Sequence, residues 1–497
     1  MNAEDSSARG FAHFAGSSST ERILRASATD LAARIRRREL SSRQVVEVHL
    51  AHARRVNPTL NAIVFPRDDE ALREADEADR ALSRGDELPL FHGVPCTIKE
   101  AFALTGMPNC SGLWTRREFR ATEDATTVTR IRRAGGIPLG VTNISELCMW
   151  MESSNTVYGR TNNPYDPRRT VGGSSGGEGA IVGSGASPFG LGSDIGGSIR
   201  MPAFFNGVFG HKPTGGLIPG SGQFPVATGA ALRYLTTGPL CRRAEDLWPL
   251  IQLLAGPDGL DPGCTGEYPL GDPSKVSLEG MSVLSVEDNG IFAPSEELVE
   301  AQRRVARHLQ RRGARLRVEQ FPELKQSLDI WSSMLAAAEG PSFAELLGEG
   351  VPIRAGRELL AWAIGRSHHT LPAIALALVE KLPALMRDRA DEAIALGHRF
   401  KQRLVDAIGP NGIMLFPSYT RLAPIHGTAL LPPIQWAYTA ILNVMELPVT
   451  QVPLGLHRGL PLGVQVGAIH GHDHVTVAVA LELEKAFGGW VPPPRWF

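Results

Sequence analysis

Two serine clusters set among glycines, and one lysine in a chain that uses few, carry the makings of nucleophilic chemistry. From Gly172 to Gly216 the chain reads GGSSGGEGAIVGSGASPFGLGSDIGGSIRMPAFFNGVFGHKPTGG, with Ser174-Ser175 in one cluster and Ser198 in the other. Glycines open backbone conformations closed to other residues and let amide N–H groups approach a bound group, so the pattern suggests a nucleophile beside an oxyanion cradle. A serine at its free pKa is a weak nucleophile and needs a base. The candidate is Lys99 in GVPCTIKEAF (93–102), one of seven lysines against forty-four arginines. Arginine stays protonated at neutral pH, whereas burial can lower a lysine's pKa enough for it to accept a proton.

Other motifs compete for the same residues. Gly172 to Gly176 satisfies G-x-S-x-G, which would make Ser174 the nucleophile of an α/β-hydrolase elbow, but no HGG-type segment or short β-branched strand leads into it. No lysine has a serine three positions before it, so the S-x-x-K pattern is absent. Gly183-Ser184-Gly185 fails the dinucleotide spacing. A Gly/Ser tether would be solvated, yet this block carries Ile181, Val182, Phe189, Leu191, Ile195, Ile199, Met201, Phe204 and Phe205, which predicts ordered core.

Taken together, the Gly/Ser block, Lys99, the stretch from Asn443 to Pro448 and GLPLGVQV (459–466) resemble the amidase signature family over most of the chain. The resemblance implies an acyl-enzyme on Ser198 of the DIGGS element (194–198). It implies a bridging role for Ser174, twenty-four residues earlier and preceded by a cis peptide bond, and the role of base for Lys99. Backbone N–H groups of Ile195, Gly196, Gly197 and Ser198 are then the expected oxyanion donors, and Cys148, Met149, Trp150 and Met151 the expected wall of the acyl pocket. SDIGGSIRMPAFFNGVFGHKP (193–213) and ELCMWMESSNTVYGRTNNPYD (146–166) resemble the fatty-acid amide hydrolase branch. The expected activity is hydrolysis of an apolar acyl amide, with neither cofactor nor metal. A carbamate (urethane) or aryl-acylamide hydrolase is the alternative. A transamidating amidotransferase subunit, which would need a partner and an ammonia supply, is a further one, disfavoured by the apolar 148–151 stretch and by HKPT (211–214).

Composition narrows the partners. A net charge of −1 over 497 residues offers no field for nucleic acid or an anionic membrane, so a small-molecule amide or carbamate is the expected partner, with the chain a monomer or homodimer. Five scattered cysteines without C-x-x-C spacing indicate neither a disulfide framework nor a zinc site. His368-His369 and His470, His472 and His474 lack a convincing ligand set and are expected in solvated loops. Residues 1–20 lack the basic and apolar regions of a signal peptide, no apolar run reaches about 18 residues, and cytoplasmic residence is the expectation.

Positioning these groups requires a scaffold, and the periodicity supplies one. Val94, Cys96 and Ile98 alternate with Pro95, Thr97 and Lys99 as in a short strand, with Pro95 marking an edge or strand start. Ser41-x-x-Gln44 reads as a capping box before a helix closed by Pro58. A helix over 126–133, stopped by Gly135-Gly136, precedes a strand over 137–141. Strand 282–286, a helix faced by Leu298, Ala301, Val305 and Leu309, Gly313 as its cap and strand 314–318 form a second such unit. The expected fold is α/β, a mixed β-sheet core sandwiched by α-helices. Residues 1–85 are expected to form an N-terminal helical layer of the same unit and 86–497 the amidase signature domain, with a helical insertion near 340–400 that is a candidate substrate gate. Its stretch 359–386 should form two or three short helices broken by Gly365, Pro372 and Pro383, either gating the pocket or lying in the core.

Overall fold

The structure, a computed structural model, describes residues 18–497 apart from 267, 339, 381–386 and 430–434. The N-terminal stretch read for a signal peptide lies almost wholly outside the described residues, as do Pro383 and Met386. Eleven strands form one sheet in the order Ile63–Pro66, Gly136–Thr142, Val94–Lys99, Phe189–Asp194, Thr236–Cys241, Phe209–Lys212, Val449–His457, Leu460–Gly467, Gly412–Phe416, Ser282–Ser285 and Arg315–Val318. Parallel pairing on either side encloses antiparallel pairing in the middle, and the edge strand Ile63–Pro66 runs antiparallel to its neighbour, so the sheet is mixed, as expected. Its central strands are buried on both faces and carry near-continuous apolar runs, the pattern of a sheet covered by helices on either side.

Val94–Lys99 is an interior strand, not an edge. Pro95 is tolerated because the neighbour Phe189–Asp194 pairs only with Thr97 and Ile98, leaving the start of the strand free of that ladder. The helix Thr126–Arg133 and strand Gly136–Thr142 follow the expected boundaries closely, as do Glu296–Arg311 and Arg315–Val318. Before residue 85 the described residues form four helices (Ser19–Arg25, Ala28–Arg36, Ser42–Leu60 and Asp68–Arg84) and, beyond the expectation, contribute the edge strand Ile63–Pro66. Ser41 Oγ accepts from the Gln44 N–H at 2.9 Å, but the reciprocal half of the capping box is replaced by Asp79, which accepts from the N–H groups of Ser42 and Arg43. Pro58 does not close that helix. It sits in the last turn, and the helix ends at Asn61, a left-handed cap with φ 50°.

The 340–400 region is helical at Phe343–Leu347, Ala355–Ala363, Leu371–Val379 and Arg387–Ile408. Pro372 starts Leu371–Val379 where the missing N–H costs nothing. A core placement is excluded for Ala355–Ala363, which has no buried residue and leaves Leu360 72% and Trp362 43% exposed. No described helix is long and apolar enough to cross a membrane.

Candidate active site

Two parallel strands ending side by side create the crevice. Val94–Lys99 and Phe189–Asp194 are in register at Thr97 with Gly190 and Ile98 with Leu191, so Lys99 and Ser193 emerge together at the carboxyl ends, where open α/β sheets bind ligands. Thr97 and Lys99 share a face, and the helix Gly176–Gly183 covers it: Glu178 accepts from Thr97 Oγ1 at 2.6 Å and from Thr142 Oγ1 at 2.8 Å. Glycines allow this contact, because a Cβ at Gly190 would occupy the Glu178 carboxylate. From Gly172 to Gly216 the block is buried except at Ile195 and Gly196, which are half-buried and mark where the site opens. It is ordered core, not tether.

Lys99 is fully buried, and its Nζ donates to Ser174 Oγ at 2.7 Å and to Ser193 Oγ at 3.0 Å. Burial lowers its pKa from the ordinary lysine value, opposed by the neighbouring Cys148 thiol and by Asp194 and Glu178. Glu178 itself is pushed up to about 8 by burial, against the hydrogen bonds from Thr97 and Thr142. The peptide bond Gly173–Ser174 is cis, as the resemblance implied. The Ser175 N–H donates to the Ser198 carbonyl at 3.1 Å, which holds the two serine segments side by side. Ser198 is 8% exposed, and its hydroxyl has no hydrogen-bond partner among the described residues, leaving it available to a ligand.

A buried charge pair fixes the loop that carries Ser198. Arg200 holds Asp194 through Nε to Oδ2 at 3.0 Å and Nη2 to Oδ1 at 2.9 Å, a bidentate geometry. Burial would raise the Asp194 pKa, but the charge and hydrogen bonds of Arg200 outweigh it and hold the carboxyl well below the usual range. Asn443 and Gln465 accept from the remaining guanidinium N–H groups at 2.6 Å and 2.8 Å, so the C-terminal segments of the sequence motif act by completing this network.

The four expected oxyanion donors do not fare alike. Gly197 departs from the expectation, because its N–H donates to Asp194 Oδ1 at 2.7 Å and is not free for a ligand. The N–H groups of Ile195, Gly196 and Ser198 have no acceptor among the described residues. Met149 and Ile195 pack on a core cluster that holds Trp331, with Trp436 against the same cluster. Trp150 turns instead to the other large cluster, and its carbonyl abuts the position a Cβ on Gly173 would take. Cys148 lies beside the Lys99 ammonium.

Ser193, Trp331 and Trp436 were not found by spacing. Trp331 lies on the helix Ser327–Ala336, more than 130 residues after the loop it meets, and its pattern reads as core. Of the histidines expected in solvated loops, His368 is exposed in one and stacks on Trp114 at 4.7 Å, whereas His369 is buried with its Nδ1 2.7 Å from Glu146 Oε1, His470 is half-buried in a turn and packs edge-on to Tyr268 at 4.2 Å, and His474 lies in the helix Asp473–Phe487. Among the described residues no three His, Cys, Asp or Glu side chains gather as a metal-holding group.

Residues 44–477 match the family model described as Amidase. The chain is 45% identical to fatty-acid amide hydrolase 2 of Homo sapiens, an alignment covering 96% of this chain and 92% of that protein. It is 32% identical to indoleacetamide hydrolase of Bradyrhizobium diazoefficiens, over 93% of this chain and 86% of the relative. A solved fatty acid amide hydrolase superposes with a TM-score of 0.77 at 23% identity, covering 95% of this chain and 87% of that one, and so shares its fold.

Proposed function

The chain belongs to the amidase signature family of amide-cleaving hydrolases, and we propose that it hydrolyses apolar acyl amides through an acyl-enzyme on Ser198, with Ser174 as proton bridge and Lys99 as base. The observation that carries the proposal is the fully buried Lys99, its pKa lowered by that burial, 2.7 Å from Ser174 Oγ. In this mechanism Ser198 Oγ attacks the amide carbonyl and gives its proton to Ser174, which passes its own to the neutral Lys99 amine. The tetrahedral oxyanion is met by N–H groups of Ile195, Gly196 and Ser198. On collapse the proton returns from Lys99 through Ser174 to the leaving nitrogen, and water repeats the sequence to free the acid. Met149, Ile195, Trp331 and Trp436 supply apolar surface beside the loop, which supports an apolar acyl group. The 45% identity to fatty-acid amide hydrolase 2 supports the same substrate class.

The test is peptide mapping after treatment with a fluorophosphonate, alongside turnover of a long-chain acyl amide, a short anilide and an aryl carbamate. A single adduct on Ser198, lost in Ser198→Ala and slowed but not moved in Ser174→Ala, is the expected outcome, with the long-chain amide turned over best. An adduct on Ser174 would reverse the two serine roles. Preference for the carbamate would replace the acyl-amide reading with a urethane one.

A further inference from the structure

Every carbonyl of the turn from Asp194 to Gly197 is held from outside the reacting centre. Asn443 Nδ2 donates to the Asp194 carbonyl at 2.9 Å. Trp331 Nε1 donates to the Ile195 carbonyl at 2.8 Å, and Thr439 Oγ1 to the Gly196 carbonyl at 2.7 Å. The Met201 N–H, in the helix Arg200–Phe205, donates to the Gly197 carbonyl at 2.8 Å. None of these peptide bonds is cis. In a trans peptide the C=O and the following N–H point to opposite sides of one rigid plane, so fixing the carbonyl aims the N–H. Asn443 thereby aims the N–H of Ile195, Trp331 that of Gly196, and Met201 that of Ser198, the three N–H groups without a protein acceptor. Thr439 aims the fourth, Gly197, into Asp194 Oδ1.

We propose that Trp331 is a positioning residue for catalysis: its indole N–H fixes the Ile195–Gly196 peptide plane so that the Gly196 N–H is presented to the oxyanion before substrate arrives. The inference rests on the acyl-transfer reading above. Two features single out Trp331 among the clamps. Its ring meets Trp436 at 4.9 Å and 81°, an edge-to-face contact that restricts the indole. It faces Gly196 itself, where an added Cβ would lie 3.6 Å from Trp331 Cζ2, so Trp331 also forms the wall beside the donor it aims. Asn443, by contrast, also bonds Asp194 Oδ1 and the Tyr234 carbonyl and accepts from Arg200, so its loss would undo the charge network as well.

Preorganised donors act on charge that develops only in the transition state, so misaiming one should lower kcat and spare KM. Trp331→Phe keeps an aromatic ring and deletes the donor. The expected result is a fall in kcat of about 10- to 100-fold, less than the 100- to 1,000-fold typical of deleting an oxyanion donor outright, with KM within about threefold. Affinity for a trifluoromethyl ketone of the substrate, whose serine adduct carries the oxyanion, should fall in parallel, while an unreactive ether analogue should bind as before. Thr439→Val, an isosteric loss of hydroxyl, is the comparison variant: the Gly196 carbonyl it releases lies in the plane of the Gly197 N–H, which already donates to Asp194 Oδ1, so kcat should fall less than in Trp331→Phe. Wild-type kcat in Trp331→Phe, or equal weakening of ketone and ether, would overturn the inference. Turnover that persists in Ser198→Ala would instead overturn the acyl-transfer reading on which it stands.

Discussion

Lys99 carries the sharpest prediction, because a base must be unprotonated to act. Burial lowers its pKa below the ordinary lysine value, so the neutral fraction at a given pH exceeds that of a solvated lysine. Activity should therefore rise with pH on a single apparent ionisation, below the ordinary lysine range, and level off above it. The ionisation is that of Lys99, whose neighbours Cys148, Asp194 and Glu178 oppose the effect of burial. Lys99→Ala should lose most of the rate and this pH dependence with it. A kcat/KM profile that keeps the wild-type shape in the variant would remove Lys99 as the base.

At the scale of elements, the helix Ser42–Leu60 carries two buried histidines, and the second ties the N-terminal layer to the catalytic block. His49 Nδ1 lies 2.8 Å from the Val45 carbonyl and His52 Nε2 2.8 Å from the Ser184 carbonyl. Burial lowers their pKa values to about 3 and about 4. With folded-state values below the unfolded one, the unfolded chain binds more protons between these values and about 6.5, so stability falls as pH drops through that window. Each histidine contributes up to about 1.4 kcal/mol per pH unit there. Urea midpoints should therefore fall between pH 6.5 and 4, and His52→Gln should flatten the slope. An unchanged slope in that variant would assign the acid sensitivity elsewhere.

For the molecule as a whole, the helices of the 340–400 region meet the active-site loop beside Cys148. Glu146, two residues before Cys148, accepts from the Thr370 N–H at 2.8 Å and pairs with His369, while Leu113 and Leu147 share a small apolar cluster with Ala344, Leu347, Ala373 and Ala377. His369→Leu would strip Glu146 Oε1 of its partner inside the fold, at a cost of about 1–3 kcal/mol. The expected outcome is a lower melting temperature with KM for a long-chain amide raised more than KM for a short anilide, since the disturbed loop carries Cys148 and Met149. Equal KM changes for both substrates would separate this attachment from the substrate pocket.

The sequence by itself determined the amide-cleaving family and the class of scaffold. Lys99, Ser174 and Ser198 were legible as candidates because residue type, glycine context and spacing are local, and the sheet was legible because hydrophobic period is local too. The tertiary structure decided what depends on distant segments meeting. Gly197 carries the same kind of N–H as its neighbours, and only the placement of the Asp194 carboxylate removes it from the oxyanion donors. Trp331 and Thr439 have the sequence signature of ordinary buried helix residues, and become clamps only because their helices pack onto the Ser198 turn. His369 reads as a polar loop residue until Glu146, more than 200 residues earlier, is brought against it. Periodicity records which face of an element is apolar, but not which element of the chain will cover it, and the direction of a backbone N–H is set by that cover.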